Sequence, residues 1–128
     1  MDEKQQELIF KLSIFEQQFK QIQQQLQAVE HGILEMNSLS LGLGELGGSI
    51  NKEILAPIGR GIFVKAKLLS EKLRVDVGNG NFVEKEIPDV QKMIQKQIEK
   101  LDEVKKELND GLEKIGEEMG KVMGEGKS

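Results

Sequence analysis

The sequence predicts a mainly α chain: a long antiparallel two-helix coiled coil with two β-hairpins at the joined end. Three observations point there. In the first third, Leu8, Leu12, Phe15, Phe19, Ile22, Leu26, Val29, Ile33 and Met36 recur in alternating steps of four and three, the heptad spacing of a coiled-coil seam. Towards the C-terminus, Ile87, Ile94, Leu101, Leu108, Ile115 and Val122 recur every seven residues. Between the two seams the periodicity changes to two, with turn residues at Gly59-Arg60-Gly61 and Gly78-Asn79-Gly80-Asn81. Two helices that each expose an apolar stripe need one another, so the stretch between them has to reverse the chain.

The elements follow in order. Residues 1–50 hold the N-terminal coiled-coil helix, whose solvent flank is rich in glutamine, a good helix former without charge. Its seam lacks proline and continues to Met36. From Gly42 to Gly48 four of seven residues are glycine, each costing a helix about 1 kcal/mol relative to alanine. The helix therefore either stops near Ser40 or continues as a frayed turn to about Asn51, and a flexible joint is expected here. Residues 51–86 form the hairpin region: Ile54–Ile58 and Ile62–Leu69 flank the first turn, and Leu73, Val75 and Val77 alternate with Arg74 and Asp76 before the second. Glycine and asparagine suit the positive φ of tight hairpin loops. Pro88 opens the second helix, at the one place where a missing N–H costs nothing. That helix spans 87–123. Gln97, Gly111 and Glu118 stand at positions expected to be apolar, with Ile98, Leu112 and Met119 one residue later, so its stripe is expected to drift around the helix. Residues 124–128 are expected to be a disordered tail. At about 1.5 Å per residue each arm would be roughly 50 Å long.

Composition narrows the function. The chain has 128 residues, five phenylalanines, no tryptophan or tyrosine, no cysteine and a single histidine. Few aromatics suit a thin seam better than a thick core. Without cysteine there is no disulfide and no thiolate chemistry. His31 alone, without cysteine partners, makes no typical zinc site, so neither a metal nor a cofactor is expected. The glycine pairs 59/61 and 78/80 neither open a helix nor precede the Lys-Ser/Thr of a phosphate loop. The carboxylates are spread along helix faces, and no enzyme activity is expected. The net charge of −4 comprises three lysines against six acids over 1–36, seven basic against six acidic over 37–86, and eight lysines against ten acids over 87–128. No basic face emerges, which argues against nucleic acid or an anionic membrane as partner. Asp2, Glu3 and Lys4 do not start a signal peptide, and no apolar run reaches the length of a membrane span, so a cytoplasmic location is expected.

Two segments carry a family resemblance. Leu55-Ala56-Pro57-Ile58-Gly59-Arg60-Gly61-Ile62-Phe63-Val64-Lys65-Ala66, with its Pro-Ile-Gly-x-Gly core, resembles the first-hairpin signature of prefoldin. Val75-Asp76-Val77-Gly78-Asn79-Gly80, followed by Val83-Glu84, resembles the second. Two hairpins rather than one mark the α class, here of the archaeal type. Asn81 departs from the pattern, where an aromatic is common, and so does the glycine-rich run at the base of the first arm. The resemblance implies an ATP-independent holdase. In that family two α and four β subunits join through their hairpins into a double β-barrel platform, an α2β4 hexamer with six arms. The arm tips hold non-native proteins and deliver them to a group II chaperonin.

The residues themselves suggest where such work would be done. With Leu8, Phe15 and Ile22 at heptad position d and Leu12 and Phe19 at a, Phe10 falls at f and Ile14 at c, away from the seam, and Ile9 at e on its edge. Apolar residues on a face that should be polar are the informative kind. Met119 and Met123 lie near the same end, and methionine adapts to many partners. Leu8, Ile9, Phe10, Ile14, Met119 and Met123 are thus the candidate client-binding residues, against the blander reading of chance surface apolars. Ile58, Ile62, Phe63, Val64, Leu73, Val75, Val77, Phe82 and Val83 are the candidate subunit-assembly residues, because isolated hairpins are marginal in water. The rival there is an intramolecular sheet core. The rival for the whole protein is a structural scaffold or tether that its hairpins merely oligomerise.

Overall fold

A computed structural model describes residues 2–126 of the chain. Six elements follow in order: α1 (Glu3–Leu46), β1 (Glu53–Gly59), β2 (Ile62–Lys67), β3 (Leu73–Asp76), β4 (Phe82–Lys85) and α2 (Ile87–Gly126). The class is as expected: two long helices with two small antiparallel hairpins between them. The chain divides into two compact units, one of Met1–Leu34 with Glu99–Ser128, the other of Glu35–Ile98.

The first unit is a helix pair. Asp2 caps α1, its Oδ1 accepting the Gln5 N–H at 2.8 Å, and Glu3 places a further negative charge in the first turn, where the helix dipole favours it. The pair is antiparallel: a Cβ built on Gly32 would lie 3.6 Å from Leu101 Cδ1, and one on Gly111 would lie 3.4 Å from Ile22 Cδ1. Leu26 and Val122 are its buried apolar residues. Lys105 reaches Glu30 at 3.7 Å, a partly exposed ion pair.

In the second unit the remaining turns of both helices meet the hairpins. Ile87, Ile94 and Ile98 are buried, and Met36, Leu43 and Leu46 of α1 are half-buried. α1 continues through Gly42 and Gly44 to Leu46 and then leaves the helix at Gly47-Gly48, where Gly48 takes φ +77°. The glycine penalty is overridden by the packing of Leu43 and Leu46, so the helix passes Ser40 and ends at Leu46, and turns continue from there to Asn51, as the second of the two expected alternatives has it. At the other end α2 runs to Gly126, beyond the expected limit of 123. Residues 124–126, expected in a disordered tail, are helical, and the rest of that tail, 127–128, lies outside the described residues.

The seam of α2 also differs from expectation. The main stripe of half-buried or buried positions runs through Ile87, Gln91, Ile94, Ile98, Leu101, Lys105, Leu108, Leu112, Ile115, Met119 and Val122, and Val90, Met93 and Gly111 are half-buried beside it. The main stripe keeps steps of four and three along α2, and Val90, Met93 and Gly111 widen it rather than carry it around the helix. Gln97 and Glu118 are exposed. Two polar residues, Gln91 and Lys105, occupy seam positions, and they hide the period when only apolar residues are followed.

Each hairpin is a separate two-stranded antiparallel sheet. In the first, Ile54 faces Ala66, Ala56 faces Val64 and Pro57 faces Phe63, with a bulge at Ile58 before Gly59 meets Ile62. Arg60 and Gly61 form the loop with φ of 50° and 79°, the two positive angles that a type I′ turn demands. In the second, Val75 faces Val83 and Asp76 faces Phe82. Asp76 Oδ1 accepts the Gly78 N–H at 2.9 Å and Val77 N–H donates to Asn81 O at 2.9 Å, closing the Gly78-Asn79-Gly80 loop.

Candidate functional site

Two sets of apolar side chains remain open to water. The first lies near the chain ends, in the helix-pair unit. α1 turns its seam residues Leu8, Leu12, Phe15 and Phe19 inward, where all four are half-buried. Residues between these steps project elsewhere, and there Phe10 is 67% exposed and Ile14 39% exposed, with Ile9 and Met123 also exposed. Ile14 and Phe15 of α1 form a shallow groove with Glu118, Lys121 and Val122 of α2, edged by Lys11. The structure therefore brings Ile14 next to the end of α2. Leu8 and Met119 behave differently from the other four candidates. Both sit on the seam steps and are half-buried, so they form the floor of the pair rather than a free surface.

The second set lies on the hairpins. Ile58, Ile62, Phe63, Val64, Val77, Phe82 and Val83 are exposed, while Leu73 and Val75 are half-buried. In the first hairpin Ile54, Ala56, Val64 and Ala66 share one face, and Leu55, Pro57 and Phe63 the other. Apolar residues on both faces leave neither one suited to water. The two hairpins share no strand ladder, so they do not join into one four-stranded sheet.

Some exposed apolar residues escaped the sequence reading. Leu55 lies within β1, Leu69 follows β2, and Leu34, Leu39 and Leu41 stand on α1 off its seam. The signal for Leu55 was present, since it shares the alternate face with Phe63. The α1 leucines give no signal of their own next to so many seam residues.

Among the described residues no group of three or more histidines, cysteines or acids gathers as a metal site would require, and His31 is exposed on α1. Among the described residues no helix is long and apolar enough to cross a membrane.

Known proteins agree with this geometry. The family model for Prefoldin subunit matches residues 15–125. A prefoldin subunit alpha of Methanobrevibacter smithii is 31% identical over 91% of the chain and 80% of its own length. One from Methanococcus aeolicus is 31% identical over 98% of the chain and 88% of its own length. The fold matches that in the cryo-EM structure of filamentous PFD from Methanocaldococcus jannaschii, with a TM-score of 0.79, 20% identity, and coverage of 89% of this chain and 96% of that one. Paired antiparallel helices, two open hairpins and a match across most of the sequence lead to one assignment: the chain belongs to the prefoldin family.

Proposed function

We propose that the chain is the α-class subunit of an ATP-independent holdase. It assembles with β-class subunits, as an α2β4 hexamer, through the open faces of its hairpins. It holds non-native proteins at the free ends of its helix pair and passes them to a group II chaperonin in the cytoplasm. The observation that carries this reading is the exposure of Phe10 and Ile14 on a helix whose seam is already complete without them. A scaffold gains nothing from such residues, whereas an unfolded client offers the apolar surface they match. Leu8 and Met119 support them from the seam, and Ile9 and Met123 extend the surface. The flexible methionine suits clients of varied shape.

The test replaces Phe10 and Ile14 together with serine. The assembly with the β-class partner should keep its mass, and suppression of client aggregation without ATP should fall. Undiminished suppression by the double variant would return the protein to the scaffold reading.

A further inference from the structure

We propose that Gln91 sets the register of the two helices. A heptad seam is degenerate: sliding one helix by seven residues brings apolar positions back against apolar positions. The seam of α1 keeps its four-three step for many turns, and so does that of α2, so their apolar residues alone tolerate such a slip. The polar interruptions do not. Gln91 occupies a seam position of α2 and is half-buried, and its Nε2 donates to the backbone carbonyl of Ser40 at 3.1 Å.

The slot that accepts this amide is particular to one place. Ser40 continues the four-three steps of α1 after Ile33 and Met36, and it is the first residue of that seam that is not apolar. One turn further on stands Gly44, where a Cβ would lie 3.3 Å from Gln91 Nε2. The small pair Ser40 and Gly44 therefore lets a side-chain amide reach the helix backbone. Seven residues towards the N-terminus the equivalent pair is Ile33 and Asn37, both bulkier than Ser40 and Gly44. Seven residues the other way it is Gly47 and Asn51, beyond the end of α1 at Leu46. In either slipped register the amide of Gln91 is half-buried without this partner, which costs a factor of roughly ten or more in population. A polar residue at one seam position fixes register and lowers stability, since an apolar residue there would pack better. The register matters because the hairpin region leaves α1 at Leu46 and returns at Ile87, so a slip would offset the two ends from which the hairpins are held. Gln91 is in this sense a positioning residue, and the inference stands whether or not the protein is a holdase.

The absence of cysteine allows a direct test on the full chain. Ile22→Cys combined with Gly111→Cys reports the observed register, in which these positions face each other. Ile22→Cys combined with Val104→Cys, or with Glu118→Cys, reports a slip of seven residues in one direction or the other. With Gln91 in place the first pair should cross-link and the other two should give traces. In a Gln91→Met background thermal stability should rise, and a slipped pair should cross-link roughly tenfold more. Gln91→Leu provides a second apolar variant with a different shape. Higher stability with looser register is a combination that simple loss of packing does not produce. Cross-linking confined to the first pair in both backgrounds would overturn the proposal.

Discussion

Replacing Phe63 with alanine isolates the contribution of the hairpin surface to assembly. Phe63 is 56% exposed in the single chain. A phenylalanine side chain presents about 200 Å², so roughly 110 Å² of it still awaits burial. At about 25 cal/mol per Å² that area is worth about 3 kcal/mol when a neighbouring subunit covers it. Alanine retains a small part, leaving a loss of about 2–3 kcal/mol per subunit, or an association weaker by roughly 30- to 140-fold. The cost within the chain is smaller, because Phe63 faces only Pro57 across the ladder and such cross-strand pairs contribute about 0.2–1 kcal/mol. The assay is sedimentation of the variant with a β-class subunit across a dilution series, with helix content followed by circular dichroism. Association that is unchanged by the substitution would refute the reasoning, since the exposed ring would then have no partner to lose. So would loss of helix content in the isolated chain, which would show the ring acting within the fold.

Two further substitutions probe the helices. Ile98 is 6% exposed, and Ile98→Ala should destabilise the chain by about 2–4 kcal/mol, seen as a lower midpoint in chemical denaturation. Gly120 lies in α2 with nothing within 4 Å of a built Cβ, so Gly120→Ala should stabilise the helix by up to about 1 kcal/mol, read as a higher melting temperature.

How much was legible in the residues varied with how far packing intervened. The seam of α1 could be followed directly because every step from Leu8 to Met36 is apolar. The hairpins were legible because Gly61 and Gly78-Asn79-Gly80 supply positive φ at places where few other residues can, although Arg60, also at positive φ, gave no such signal. The end of α1 was not, because glycine propensity is local and the half-burial of Leu43 and Leu46 is not. The seam of α2 was misjudged for a different reason. Counting three residues from Ile94 lands on Gln97, whereas counting four lands on Ile98, and only the folded partner decides between them. Gln91 and Lys105 then disguised the true period, since a polar residue at a seam position looks like a residue outside it. At the candidate site, Phe10 and Ile14 stood out because the α1 seam excludes them. Leu8 and Met119 were grouped with them by proximity to the chain ends, although their seam steps assign them to the interior of the pair.

Among the described residues no large side chain is completely shielded from solvent. A fold of this kind has no keystone. Its cohesion is distributed along a line, a few neighbours at a time, much as in a zip fastener. Damage near the termini should therefore propagate poorly, and whole heptads added in matching numbers to both helices would lengthen the pair without new side-chain solutions. The length of the pair is then a quantity that sequence variation can change one heptad at a time.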